Sequence, residues 1–144
     1  MNGVYPFRRL RVTQLIVAIV LSLLMVPAVG TAVRISVQSG ESVSSAIRTA
    51  APGDTVWLAP GEYMEQLVVD VAVVITGNDL PHIRGGYVGH VVHLTAPGAV
   101  LDGLHISEAG ERLTKDHAAI LVEADSIVIR NCEVTEPLHG IYVK

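Results

Sequence analysis

Six histidines in a chain of 144 residues carry the most evident chemistry. They stand at positions His82, His90, His93, His105, His117 and His139. Neutral imidazole nitrogens suit copper, so the first question is which of them can converge. When the internal repeats of the chain are aligned, His90 and His139 share one column, and His117 sits one residue off it between them. Three imidazoles at one corner of successive coils make His90, His117 and His139 the candidate metal ligands. The other reading of the same residues is exposed polar corners. His93 stacks over Leu121 and Tyr142, and His105 over Glu133, so neither is expected to form a histidine ladder.

Carboxylates offer less. Glycoside hydrolysis needs two carboxyl groups roughly 5–9.5 Å apart, one of them acting as acid. The outward pair Glu123 and Asp125 lies on one strand, and ion pairing or a loop-edge position explains it without catalysis. Lyase chemistry would want an acidic calcium cluster with a base, and the sequence holds no such cluster. No catalytic residue is assigned, and the enzyme question stays open, with the non-enzyme reading favoured. The single cysteine, Cys132, cannot form an internal disulfide and reads as a buried, inert thiol. Trp57 is expected to pack as an end residue rather than to stack on sugar.

What must position these side chains is a repeat. Residues 91–106 and 119–134 coincide at every apolar position at a shift of 28. Residues 73–77 match 99–103 at a shift of 26, and residues 140–143 match 119–122 at a shift of 21. Periods of this size are the mark of a solenoid. Within each copy apolar residues alternate, as in Val92 and Leu94, Ile120 and Val122, or Ile127 and Ile129, which is the period of a strand. Short alternating strands separated by corners describe an all-β, right-handed parallel β-helix. Gly77, Gly103 and Asn131 align where the phase breaks, and these residue types tolerate φ > 0. The column is therefore expected to be one left-handed corner repeated on each coil. The register stacks Ala99 on Ile127, Leu101 on Ile129 and Leu104 on Cys132, and it places Asp102 over Arg130.

Taken in order, the chain opens with Arg8, Arg9 and Arg11, an apolar run over 15–26, then Pro27 and small residues. This is the pattern of a cleaved secretory signal peptide over residues 1–32, and it implies a periplasmic location. The apolar run is shorter than the roughly 20 residues of a spanning helix. Export over Sec or twin-arginine routes stays open. Beyond residue 32 seven basic residues face fourteen acidic ones, a net charge of −7. A chain so acidic, with no basic stripe, is a poor partner for nucleic acid. Residues 33–37 read as a first strand. Val43, Ala46, Ile47 and Ala50 form one face of a helix over 42–51, with Ser42 as N-cap and Pro52-Gly53 as stop. Such a helix can cover the open end of the first coil of a domain spanning residues 33–144. Residues 78–89 are rich in turn formers, with Ile83 at most a one-contact strand. Residues 108–116 read as a polar loop projecting from one side.

Ala50-Ala51-Pro52-Gly53-Asp54-Thr55-Val56, followed by Ala59-Pro60-Gly61-Glu62-Tyr63, resembles the opening of right-handed β-helix proteins of the carbohydrate-binding and sugar-hydrolase group. Leu101-Asp102-Gly103-Leu104-His105-Ile106, Asp116-His117-Ala118-Ala119-Ile120 and Gly140-Ile141-Tyr142-Val143-Lys144 look like the periplasmic copper-binding β-helix family of nitrous oxide reductase maturation (NosD type). The resemblance covers residues 40–144. It implies an exported accessory protein, copper as a possible ligand, and as partners the ATPase and permease of an ABC transporter together with the reductase. The same scaffold also serves polysaccharide lyases, hydrolases and epimerases, and non-catalytic binding solenoids. Members of the family are usually much longer. The chain therefore reads as an N-terminal fragment, incomplete at its C-terminal end, with self-association through the open last coil as an expectation.

Overall fold

Alternating apolar residues in short runs cannot bury themselves within one strand, so each run must find its partners on the next coil. The computed structural model describes residues 30–110, 117–137 and 139–144. The chain divides into a unit ending at Thr31 and a unit Ala32–Lys144. The proposed signal peptide lies almost wholly outside the described residues, as do residues 111–116 of the expected loop. No helix among the described residues is long and apolar enough to cross a membrane.

The unit Ala32–Lys144 is a right-handed parallel β-helix of about four turns. Its strands are β1 (Arg34–Val37), β2 (Thr55–Leu58), β3 (Glu62–Met64), β4 (Leu67–Val69), β5 (Val74–Gly77), β6 (His82–Arg84) and β7 (Val92–Leu94). They continue as β8 (Val100–Asp102), β9 (His105–Ser107), β10 (Ala118–Val122), β11 (Val128–Arg130), β12 (Glu133–Thr135) and β13 (His139–Val143). From β2 onward every third strand joins the same sheet, and β1 adds to the first of them. The orders are β1-β2-β5-β8-β11, β3-β6-β9-β12 and β4-β7-β10-β13, all parallel. These are the first, second and third sheets.

The register follows the repeat. Ile129 pairs with Leu101 and Leu101 with Ile75, at shifts of 28 and 26. Ile120 pairs with Val92 and Ile141 with Ile120. Val56, Ile75, Leu101, Ile83, Ile106, Val92 and Ile120 are fully buried, so the alternation of each strand does select the inward face. Removing such side chains from water stabilises by roughly 1.5–3 kcal/mol each. Ile127, Ile129, Cys132 and Val134, on the last coil, are only partly buried against that core.

The helix α1 (Val43–Thr49) forms where the amphipathic run predicts it, and buries Val43, Ala46 and Ile47. Ser42 caps it, accepting from the Ser45 N–H at 3.1 Å. Its remaining free N–H groups need acceptors, and Glu65, from the loop after β3, supplies them. The Glu65 carboxylate accepts from Val43 N and Ser44 N and from the Ser42 hydroxyl. The residues of the opening motif act in the same way. Asp54 accepts from Val33 N and Ala51 N, both at 2.8 Å, tying the start of β1 to the end of the helix. The buried Tyr63 hydroxyl donates to the carbonyls of Ala59 and Val37, at 2.8 and 3.1 Å.

Several expectations need correction. The corner column is left-handed at Gly103 (φ 68°) and Asn131 (φ 53°), but Gly77 is not. Gly77 is required for space, because a Cβ there would stand 2.5 Å from both the Leu58 carbonyl oxygen and Pro81 Cγ. Residues 82–84 are a full strand, β6, paired on both sides, so the stretch 78–89 is less irregular than its turn formers suggest. Residues 108–110 do not project. Glu108 is buried with φ 60°, Ala109 is fully buried, and Gly110 N donates to Gly89 O at 2.8 Å. Trp57 is not an end residue but faces outward on the first sheet, between Ser36 and Thr76, with the Arg34 guanidinium 4.3 Å above its ring.

Candidate functional site

Where β6 leads into β7, the chain turns through Gly86 and Gly89, both left-handed, and delivers His90 two residues before the strand. The next coil brings His117 immediately before β10. The two rings meet edge to face with centroids 5.7 Å apart. His93, three residues beyond His90 and on the outward face of β7, tilts towards it at 6.2 Å. His139 opens β13 beside Ala118, on the far side of β10, and is exposed. The structure therefore brings His90 and His117 together, adds His93, and leaves His139 apart across an intervening strand.

The hydrogen bonds fix what each nitrogen can do. His90 Nδ1 accepts from the Ala118 N–H at 3.1 Å, so this ring is anchored by an acceptor nitrogen and leaves Nε2 at the other edge. Burial holds its pKa below the ordinary 6.5, with the neighbouring His117 and His93 acting in the same sense. It is thus a neutral imidazole at neutral pH, the form that binds metals. His93 Nε2 lies 2.7 Å from Glu123 Oε2, and Glu123 Oε1 lies 3.1 Å from Lys144 Nζ. His117 Nδ1 is buried without a hydrogen-bond partner among the described residues. An orphaned imidazole nitrogen beside a neutral one fits a soft or borderline cation in donor type. In placement the fit is incomplete, because among the described residues no group of three histidine, cysteine or acidic side chains is set to hold a metal ion. The cluster is a pair of donors with a third nearby, not a closed cage.

Among the candidate carboxylates, Glu123 is not set up as a general acid. Glu123 is held below its ordinary pKa by the bonds from His93 and Lys144, the opposite of what a general acid requires. Cys132 stands partly buried in the Leu104 column, its thiol donating to the Arg130 carbonyl at 3.3 Å, and burial pushes its pKa up. A thiol so placed is a poor nucleophile.

A second histidine contact was not expected. His82 stacks face to face on His105, with ring centroids 3.9 Å apart and planes 8° from parallel. Register explains it, since His82 is the Cα partner of His105 in the pairing of β6 with β9. The signal was present in the sequence: His82-Ile83-Arg84 and His105-Ile106-Ser107 repeat the same pattern around an inward isoleucine. It was hidden by the turn formers that surround residue 83.

No family model, curated protein or solved structure matches this chain.

Proposed function

We propose that this chain is an exported β-helix accessory protein that handles copper during maturation of nitrous oxide reductase, beside the ATPase and permease of an ABC transporter. The fold and the motifs at 50–63, 101–106 and 140–144 support that reading by resemblance. One observation carries it: the neutral His90 ring against His117, 5.7 Å away, with a buried imidazole nitrogen that has no hydrogen-bond partner among the described residues. Copper is cargo in this account. A cargo ion has to leave as well as arrive, so a pair of imidazoles with a third at hand suits the task better than a saturated four-ligand site. The chain's own part is to keep His90 unprotonated by burial and to aim its ring by the Ala118 bond.

Titration of Cu(I) and Cu(II) into the whole chain tests the site. Binding is expected in the parent and lost in a His90→Ala/His117→Ala variant. His139→Ala and His105→Ala retain it. Unchanged binding in the double variant removes the site, and no binding in the parent removes the cargo role.

A further inference from the structure

We propose that the stacked imidazoles of His82 and His105 are a proton-operated clasp between β6 and β9, closed while the pair carries at most one proton and released by the second.

The rings lie parallel at 3.9 Å on the outward face of the second sheet, where both are partly exposed and protons can reach them. Each ring is tied by its Nε2 to a hydroxyl one coil further on: His82 to Ser107 Oγ and His105 to Thr135 Oγ1, both at 2.7 Å. The chain of contacts therefore staples β6 to β9 and β9 to β12. A neutral ring stacks well on a neutral ring, and a cationic ring is attracted to the face of a neutral one. Two cationic rings in this arrangement repel at close range, with little water between them.

The surrounding charges decide how many protons are welcome. Glu62 on β3 is the register partner of His82 on one side, and Glu133 on β12 is the partner of His105 on the other. Arg84, two residues along β6, is bound to both Glu62 and the buried Glu108. Three carboxylates face one guanidinium, so protonation of the pair is partly compensated. What opposes a second proton is the contact itself, two rings stacked at 3.9 Å. Burial is the main influence holding His82 below the ordinary 6.5, and the His105 charge acts in the same direction. Glu62 and Glu108 oppose it and do not prevail. The separated strands therefore take up a proton that the closed stack refuses. Pairing of β6 with β9 is at full strength above the ordinary histidine pKa and weakens as pH falls below it. The clasp is independent of copper handling, since neither ring touches the His90 cluster among the described contacts.

Backbone amide exchange on the whole chain, corrected for its intrinsic pH dependence, tests this directly. His105 N–H and Gly85 N–H bond across β6 and β9, to Pro81 O at 3.1 Å and Ser107 O at 3.0 Å. Val100 N–H, bonded to Val73 O at 3.0 Å in the first sheet, is the control. From pH 7 to pH 5, protection at His105 and Gly85 should fall about tenfold in the parent, with Val100 steady. In His82→Gln and His105→Gln, which keep an outward polar side chain, the dependence should vanish at Gly85. No fall in the parent, an equal fall at Val100, or a fall that persists in either glutamine variant overturns the clasp.

Discussion

Ile129 lies directly over Leu101, its Cα partner in the parallel pairing of β11 with β8. Leu101 is fully buried, Ile129 is partly buried on the last coil, and the neighbouring Val128 is 43% exposed. Position along the solenoid therefore grades the cost of a charge. Leu101→Asp should unfold the chain, because an unpaired buried carboxylate costs several kcal/mol against a total stability of roughly 5–15 kcal/mol. Ile129→Asp should cost less, and Val128→Asp should fall within about 0.5 kcal/mol of the parent. Thermal melts of the three variants give the order. Equal damage at Ile129 and Val128 would contradict the register.

Much of that register was legible before the structure. Strict alternation over 91–106 and 119–134 fixes which side chains point inward, and the shift between copies then fixes which residues touch. Asp102 and Arg130 illustrate the reach of this logic, with Arg130 Nη2 found 2.9 Å from Asp102 Oδ2. What alternation cannot supply is the placement of residues outside the strands. His90 and His117 sit at corners, where direction depends on local turns, so their contact was a matter of columns while the addition of His93 and the separation of His139 were not foreseen. Three-residue strands are a further blind spot. β3 and β6 each show a single inward residue, Tyr63 and Ile83, too few to display a period.

Asp54 explains why an acid follows the Pro-Gly of the opening motif. Its carboxylate accepts from Val33 N and Ala51 N, and these backbone bonds hold its pKa below 3.8. A carboxylate with a lowered folded pKa contributes stability above its ordinary value, and that contribution is lost as pH falls through the folded pKa. Asp54→Asn should lower the melting temperature at pH 7, since one amide edge of the new side chain donates where an acceptor is needed. The variant should also lose less stability than the parent on acidification below about pH 4. Parallel pH profiles for the two proteins would show that the carboxylate is not the group responsible.

Tyr63 closes the same end of the solenoid. It is 2% exposed, and its hydroxyl is the hydrogen-bond donor to both Val37 O and Ala59 O. Tyr63→Phe keeps the ring and removes the donor, so the loss should be about 1–3 kcal/mol in chemical denaturation. An unchanged midpoint and slope would mean that water replaces the hydroxyl without cost.

Gly77 makes a separate point about corners. With backbone oxygen on one side and the Pro81 ring on the other, a methyl group has no room. Gly77→Ala should destabilise by about 1–3 kcal/mol through overpacking. Gly98→Ala, where a Cβ meets nothing within 4 Å but φ is 81°, should cost about 1–2 kcal/mol through strain alone. Relief by Pro81→Ala distinguishes the two causes, because it should rescue Gly77→Ala in part and leave Gly98→Ala unchanged.

The measurement closest to the functional claim is the copper content of nitrous oxide reductase made in cells that lack this chain. The account predicts a copper-poor, inactive reductase in the deletion strain. Expression of the parent chain should restore it, and expression of the His90→Ala/His117→Ala variant, present at equal level, should not. A reductase with its full copper complement in the deletion strain would contradict the proposal.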